Sequence, residues 1–144
     1  MRFPQALRTG TPMDSRFTEF PADLAVYGDV LDLMNRYFHA IYAGDADALR
    51  ATFHPECRLF AELKGVPYRK TVGEYVDGVA KRKSPQDLGE AFQMQVLGVD
   101  VLESIAHVRT RQQMLGFNYF DYLTLVRTDG QWQIVNKTFV DVAR

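Results

Sequence analysis

In 144 residues there is one cysteine, Cys57. A lone cysteine excludes an internal disulfide and any cysteine-built metal cluster, and it suits a reducing compartment. No apolar run approaches the ~18 residues that a membrane span requires. The opening stretch MRFPQALRTGTPMDSRF lacks the apolar segment of a signal peptide. The expectation is a soluble, cytoplasmic protein. Excess charge of either sign is also missing: 17 Lys and Arg stand against 18 Asp and Glu, for a net charge of −1. No global field would therefore draw the chain to nucleic acid or to an anionic membrane. There is no internal repeat, no Gly-rich phosphate loop, no Gly-x-Ser-x-Gly elbow and no Cys/His nucleophile arrangement. His39 and His107 have no Asp, Glu or His at a metal-ligand spacing, so neither a metal nor a cofactor is expected.

What is present is core material, with 47% hydrophobic and 12% aromatic residues. The length suits one domain. Residues 1–20 mix Arg, Thr, Gly and Pro without periodicity and read as a poorly structured arm, leaving 21–144 as the domain. From Pro21 the period is helical, and Leu24, Tyr27, Leu31, Met34, Phe38 and Ile41 form an apolar stripe with Tyr37 beside it. Gly44 stops this helix and Asp45 can cap a short second one, which His54-Pro55 would end. CRLFAELKG alternates as a strand up to a turn at Lys64-Gly65. Thr71 and Glu74 have capping-box spacing for a third helix that buries Val72, Tyr75, Val76 and Val79. Four long strands follow, with a bulge expected at Gly98 where the apolar phase shifts. Three helices gathered on one face of a mostly antiparallel sheet is an α+β architecture.

Two charges interrupt the last hairpin, YFDYLTLVRTDGQWQIVNKTF. Asp121 and Lys137 sit on opposite arms, inside runs that otherwise read as buried strand. A two-residue Asp129-Gly130 turn sets Asp121 opposite Thr138, whereas a three-residue loop sets it opposite Lys137. The second register is preferred here because it leaves neither charge alone among apolar neighbours. The pair then reads either as a cross-strand ion pair at an edge or as a polar pair inside a pocket, where Lys137 would meet a ligand oxygen. Arg69, Lys70, Lys81, Arg82 and Lys83 bracket the third helix and read as a solvated helix end.

The stretch RYFHAIYAGDADALRATFHPECRLF, with DYLTLVRTDGQWQIVNKTF later in the chain, resembles the nuclear transport factor 2-like superfamily. Ketosteroid isomerase, scytalone dehydratase and the SnoaL-like cyclases belong to it. The Asp-Tyr-Leu…Asp-Gly-x-Trp-x-Ile-Val-x-Lys pattern is most similar to the putative lumazine-binding proteins. The resemblance covers roughly residues 22–142. It implies a cone, in which a strongly bent sheet wraps the long first helix around a pocket, and it implies homodimers formed through the outer sheet face.

On that fold Tyr37 falls where ketosteroid isomerase has its donating tyrosine, and Asp121 lies near that enzyme's second acid. The position of the general base holds Ala61; the adjacent carboxylate, Glu62, would point to the other face of the strand. Tyr37 is equally well explained as a core-edge helix residue. The candidate catalytic set is therefore Tyr37, Asp121, Lys137 and His54, and the candidate ligand-binding set is Phe60, Tyr68, Phe117, Tyr119, Leu123 and Phe139. Two functions stay open. One is a binding protein for a small, planar molecule, and the other is an isomerase-, dehydratase- or cyclase-type enzyme acting on a carbonyl or enol substrate.

Overall fold

A 24-residue helix, α1 (Phe20–Ala43), opens the computed structural model, which describes residues 20–144. The arm expected over residues 1–20 lies, Phe20 apart, outside the described residues. The buried face of α1 consists of Val30, Leu33, Met34, Tyr37, Phe38, Ala40 and Ile41. That differs from the expected stripe: Leu24 and Leu31 are 63% and 45% exposed, and Tyr37 is fully buried. Apolar residues flank the stripe on both sides, so a count of three- and four-residue steps does not choose between neighbouring faces. The concave wall of the sheet chooses, and it takes the Val30–Leu33–Tyr37 side.

Gly44 (φ 70°) ends α1, and the Asp45 carboxylate accepts the Ala48 N–H at 3.1 Å to open α2 (Ala46–Arg50). Strand β1 (Phe53–Leu63) begins earlier than expected, and His54 belongs to it rather than to a helix end. Lys64-Gly65, both at positive φ, turns the chain into β2 (Val66–Thr71), a strand the alternation did not announce. Thr71 then caps α3 (Val72–Lys81) through a complete capping box with Glu74. The remaining strands are β3 (Met94–Leu102), β4 (Ile105–Met114), β5 (Phe117–Thr128) and β6 (Gln131–Asp141).

The six strands form one sheet in the order β2-β1-β6-β5-β4-β3, antiparallel except where β1 runs parallel to β6. Its register breaks between Val96 and Gly98, the bulge that the phase shift suggested. The Arg109 guanidinium occupies the space a Cβ on Gly98 would take. With three helices among the described residues, the α+β architecture is the expected one, and one face of the curled sheet packs on α1 and α3.

The last hairpin corrects the preferred register. Its turn has two residues, Asp129-Gly130, both at positive φ, so Thr128 pairs with Gln131. A second break follows, with Leu125 opposite Ile134 but Thr124 opposite Asn136, which leaves Val135 as the extra residue. This bulge turns Ile134 and Lys137, an odd three residues apart, to the same inner face. Asp121 therefore faces Phe139, not Lys137 or Thr138, and Lys137 faces Leu123. The two charges still share a face, as diagonal neighbours.

Candidate functional site

Within β5, on its inner face, Asp121 is 2% exposed as a residue and its side chain is surrounded by donors. Its Oδ2 accepts from Tyr37 Oη at 2.8 Å, Gln112 Nε2 at 2.6 Å and Thr110 Oγ1 at 3.1 Å. Its Oδ1 is buried without a partner. Lys137, 5% exposed, places Nζ 3.9 Å from Asp121 Oδ2 and donates to Tyr75 Oη at 3.2 Å. The rings of Tyr75, Phe139 and Tyr37 lie 4.7, 5.1 and 5.3 Å from this nitrogen, so the ammonium is caged by aromatic faces. The pair is a buried one and not an exposed cross-strand contact.

Burial, and then the Asp121 carboxylate, hold the Tyr37 phenol well above its ordinary value. For Lys137, burial is the largest single influence and works against the ammonium, but Asp121, Tyr37 and Tyr75 together outweigh it and raise the group well above its ordinary value.

Lys137 ends at the wall of a small cavity of about 90 Å³. Tyr68, Tyr75, Tyr119 and Phe139 supply its aromatic faces, Leu63 and Met114 its aliphatic ones, and Gln112, Lys137 and Arg82 its polar groups. The rings support one another edge to face, with Phe139 5.1 Å from Tyr68 and 5.7 Å from Tyr119. Burial pushes the Tyr68 hydroxyl up to about 12 and raises that of Tyr119, while the charges of Lys137 and Arg82 pull both down.

Of the expected ligand-binding residues, Tyr68, Tyr119 and Phe139 line this cavity and three do not. Phe60 is on the outer face, exposed under the Arg69 guanidinium at 3.6 Å, because β1 turns Leu59 and Ala61 inward. Leu123 is sealed in the core beneath the cavity. Phe117 stacks on Tyr119 at 4.9 Å, behind the lining ring. Nor does His54 belong to the site; its Nδ1 accepts the Glu56 N–H at 3.0 Å at the start of β1. Glu62 points outward to Arg69, 2.6 Å away, and leaves Ala61 on the inner face. Among the described residues no three His, Cys, Asp or Glu side chains gather as a metal site needs.

Three polar residues of the site were not anticipated. Thr110 and Gln112 continue the inward alternation of Ala106 and Val108 along β4, which is the signal that points to them. Arg82, expected on a solvated helix end, instead lines the cavity. It follows Lys81, the last residue of α3, as the cap of that helix's C-terminal end. Its backbone is already extended (φ −94°, ψ 161°), and the next turn is fastened by Ser84 and Pro85, both buried.

A larger groove of about 470 Å³ runs over the outer sheet face, among Leu97, Arg109, Tyr122, Thr138, Val140 and Val142. Thr110 and Asp121 also border it, but strand alternation turns the Asp121 carboxylate to the other side, towards Tyr37 and Gln112.

Solved structures with the same fold include an NTF2-like protein of unknown function from Shewanella baltica OS155, at 15% identity and TM-score 0.74. The match covers 84% of this chain and 97% of that one. A second, from Silicibacter pomeroyi DSS-3, shares 18% identity over 83% and 98% of the two chains, with TM-score 0.73. A third, from Methylobacillus flagellatus KT, shares 23% over 83% and 94%, with TM-score 0.71. Likeness at these identities establishes the fold alone. No curated protein matches the sequence. Residues 25–140 match the model of the family described as "Putative lumazine-binding". The chain therefore belongs to the putative lumazine-binding family and has the fold of the NTF2-like proteins.

Proposed function

We propose that this protein binds a small molecule with a planar portion in the cavity between the end of α3 and the inner face of β4–β6. The observation that carries the reading is Lys137: a buried ammonium, held from behind by Asp121, that ends in a cavity walled by four aromatic rings. Such a site combines apolar walls with a few fixed polar groups, the usual composition of a ligand pocket. At about 90 Å³ the cavity is far smaller than the ~300–1,000 Å³ of pockets that engulf a drug-sized ligand. It would take one ring, or the end of a larger molecule.

An acid–base enzyme is the second reading, favoured by the Tyr37–Asp121 hydrogen bond of 2.8 Å. It is the weaker one. The Tyr37 proton is already engaged, and Ala61 and the outward Glu62 put no carboxylate base on the inner face of β1.

Native mass spectrometry of the freshly purified protein, followed by thermal-shift titration with flat heterocycles including lumazine, tests binding. At least one compound is expected to be retained or to raise Tm, and Tyr119→Ala should remove the effect. No retained mass and no shift with any compound would sink the reading.

We further infer that two copies pair through the outer groove, where Leu97, Tyr122, Val140 and Val142 are exposed. Sedimentation velocity should then show a dimer that Tyr122→Glu converts to a monomer; a wild-type monomer at high concentration would refute the pairing.

A further inference from the structure

Two cations line the cavity, but they are not equivalent. Lys137 has a counter-charge behind it in Asp121, 3.9 Å away. Arg82 has none: among the described residues its ion pairs are nil, and its Nε and Nη2 are buried without any hydrogen-bond partner. Those two nitrogens form one edge of the guanidinium fork, whose parallel N–H groups match the two oxygens of a carboxylate. Unpaired buried donors are costly, and the chain holds them in place deliberately. Arg82 leaves α3 in extended conformation, and Ser84, two residues on, is packed against the Gly44 end of α1.

Summing charge over Lys137, Asp121 and Arg82 leaves the cavity with one uncompensated positive charge. The hydroxyls of Tyr68 and Tyr119, on the same wall, add neutral donors that an oxyanion can use.

Building on the binding reading above, we propose that the ligand is a monoanionic carboxylate attached to or near a flat ring, with its carboxylate taken by Arg82. Lys137 provides the second side of the oxyanion site. A phosphate dianion fits less well, because it brings one negative charge more than the cavity leaves open.

The test is isothermal titration of the wild type and Arg82→Gln with three probes: benzoate, its neutral isostere benzamide, and inorganic phosphate. Benzoate is expected to bind at least tenfold more tightly than benzamide, and Arg82→Gln should erase that tenfold preference. Without ligand, Arg82→Gln should melt at the wild-type temperature or above, since it removes unpaired buried donors. Should it fail to fold, Arg82→Lys keeps the charge, loses the two-pronged edge, and should still bind benzoate more weakly than wild type. Equal binding of benzoate and benzamide would overturn the carboxylate proposal while leaving the flat-ligand reading intact. Arg82-dependent phosphate binding tighter than benzoate would overturn it in favour of a phosphorylated ligand. Binding of none of the probes, with no retained mass in the purified protein, would remove the binding reading and this proposal with it.

Discussion

Asp121 and Lys137 depend on each other unequally. The carboxylate has three neutral donors of its own on Oδ2, whereas the ammonium has one hydrogen bond, to Tyr75, and otherwise aromatic faces. Removing the negative charge thus strands a buried cation, while removing the cation leaves a carboxylate that is still solvated by the protein. Asp121→Asn is expected to cost about 3–5 kcal/mol, the range for breaking a buried pair. Lys137→Met, which puts a flexible apolar chain among the rings, should cost only about 1–3 kcal/mol. Urea unfolding followed by the fluorescence of the single tryptophan, Trp132, measures both. Equal losses would mean that Tyr37, Gln112 and Thr110 do not hold the carboxylate independently.

At the scale of elements, the site depends on how α1 and α3 end. Gly44 closes α1 at φ 70°, and a Cβ there would lie 3.0 Å from Ser84 Cβ. Gly44→Ala therefore carries the left-handed backbone cost of about 1–2 kcal/mol together with a push on Ser84. The urea midpoint should fall accordingly at unchanged slope. Benzoate affinity should fall with it, because Ser84 fixes the segment that aims Arg82. An Ala variant as stable as the wild type would show that the two helix ends are not coupled. The bulge at Val135 works in the same way on β6, since without that extra residue Ile134 and Lys137 could not both face inward.

For the molecule as a whole, the buried titratable groups set the response to alkaline pH. Folding raises Tyr37 and Lys137 well above their ordinary values, raises Tyr119, and takes Tyr68 and Cys57 up to about 12, with burial the first cause for the tyrosines and the thiol. The folded chain keeps these protons where the unfolded chain has released them. Stability is thus fully present below the ordinary values and is lost as pH rises past them towards the folded ones. Of the seven tyrosines, Tyr37, Tyr68 and Tyr119 should ionise late and together with unfolding, which absorbance titration near 295 nm would follow. Ionisation of all seven in one early step, with circular dichroism unchanged, would contradict that burial.

Local rules were enough for much of this protein. Thr71 and Glu74 cap α3, Gly98 marks a bulge, and a turn falls at Asp129-Gly130, because each depends on residues a few positions apart, although the two-residue form of that turn was not the one preferred. The α+β order and the aromatic character of Tyr68, Tyr119 and Phe139 were legible for the same reason. The orientation of α1 was not, since apolar residues flank its stripe and only the sheet decides which side is covered. Nor was the partnership of Asp121. One bulged residue, Val135, resets every pairing beyond it, and strand register is a property of two chains of neighbours rather than of either. Arg82 shows the same limit. Its sequence neighbours are Lys81 and Lys83, which describe a solvated helix end, but the packing of Ser84 on the end of α1 carries its guanidinium into the cavity. Which charges are inside was decided by tertiary structure, because burial depends on what the rest of the chain lays over a residue.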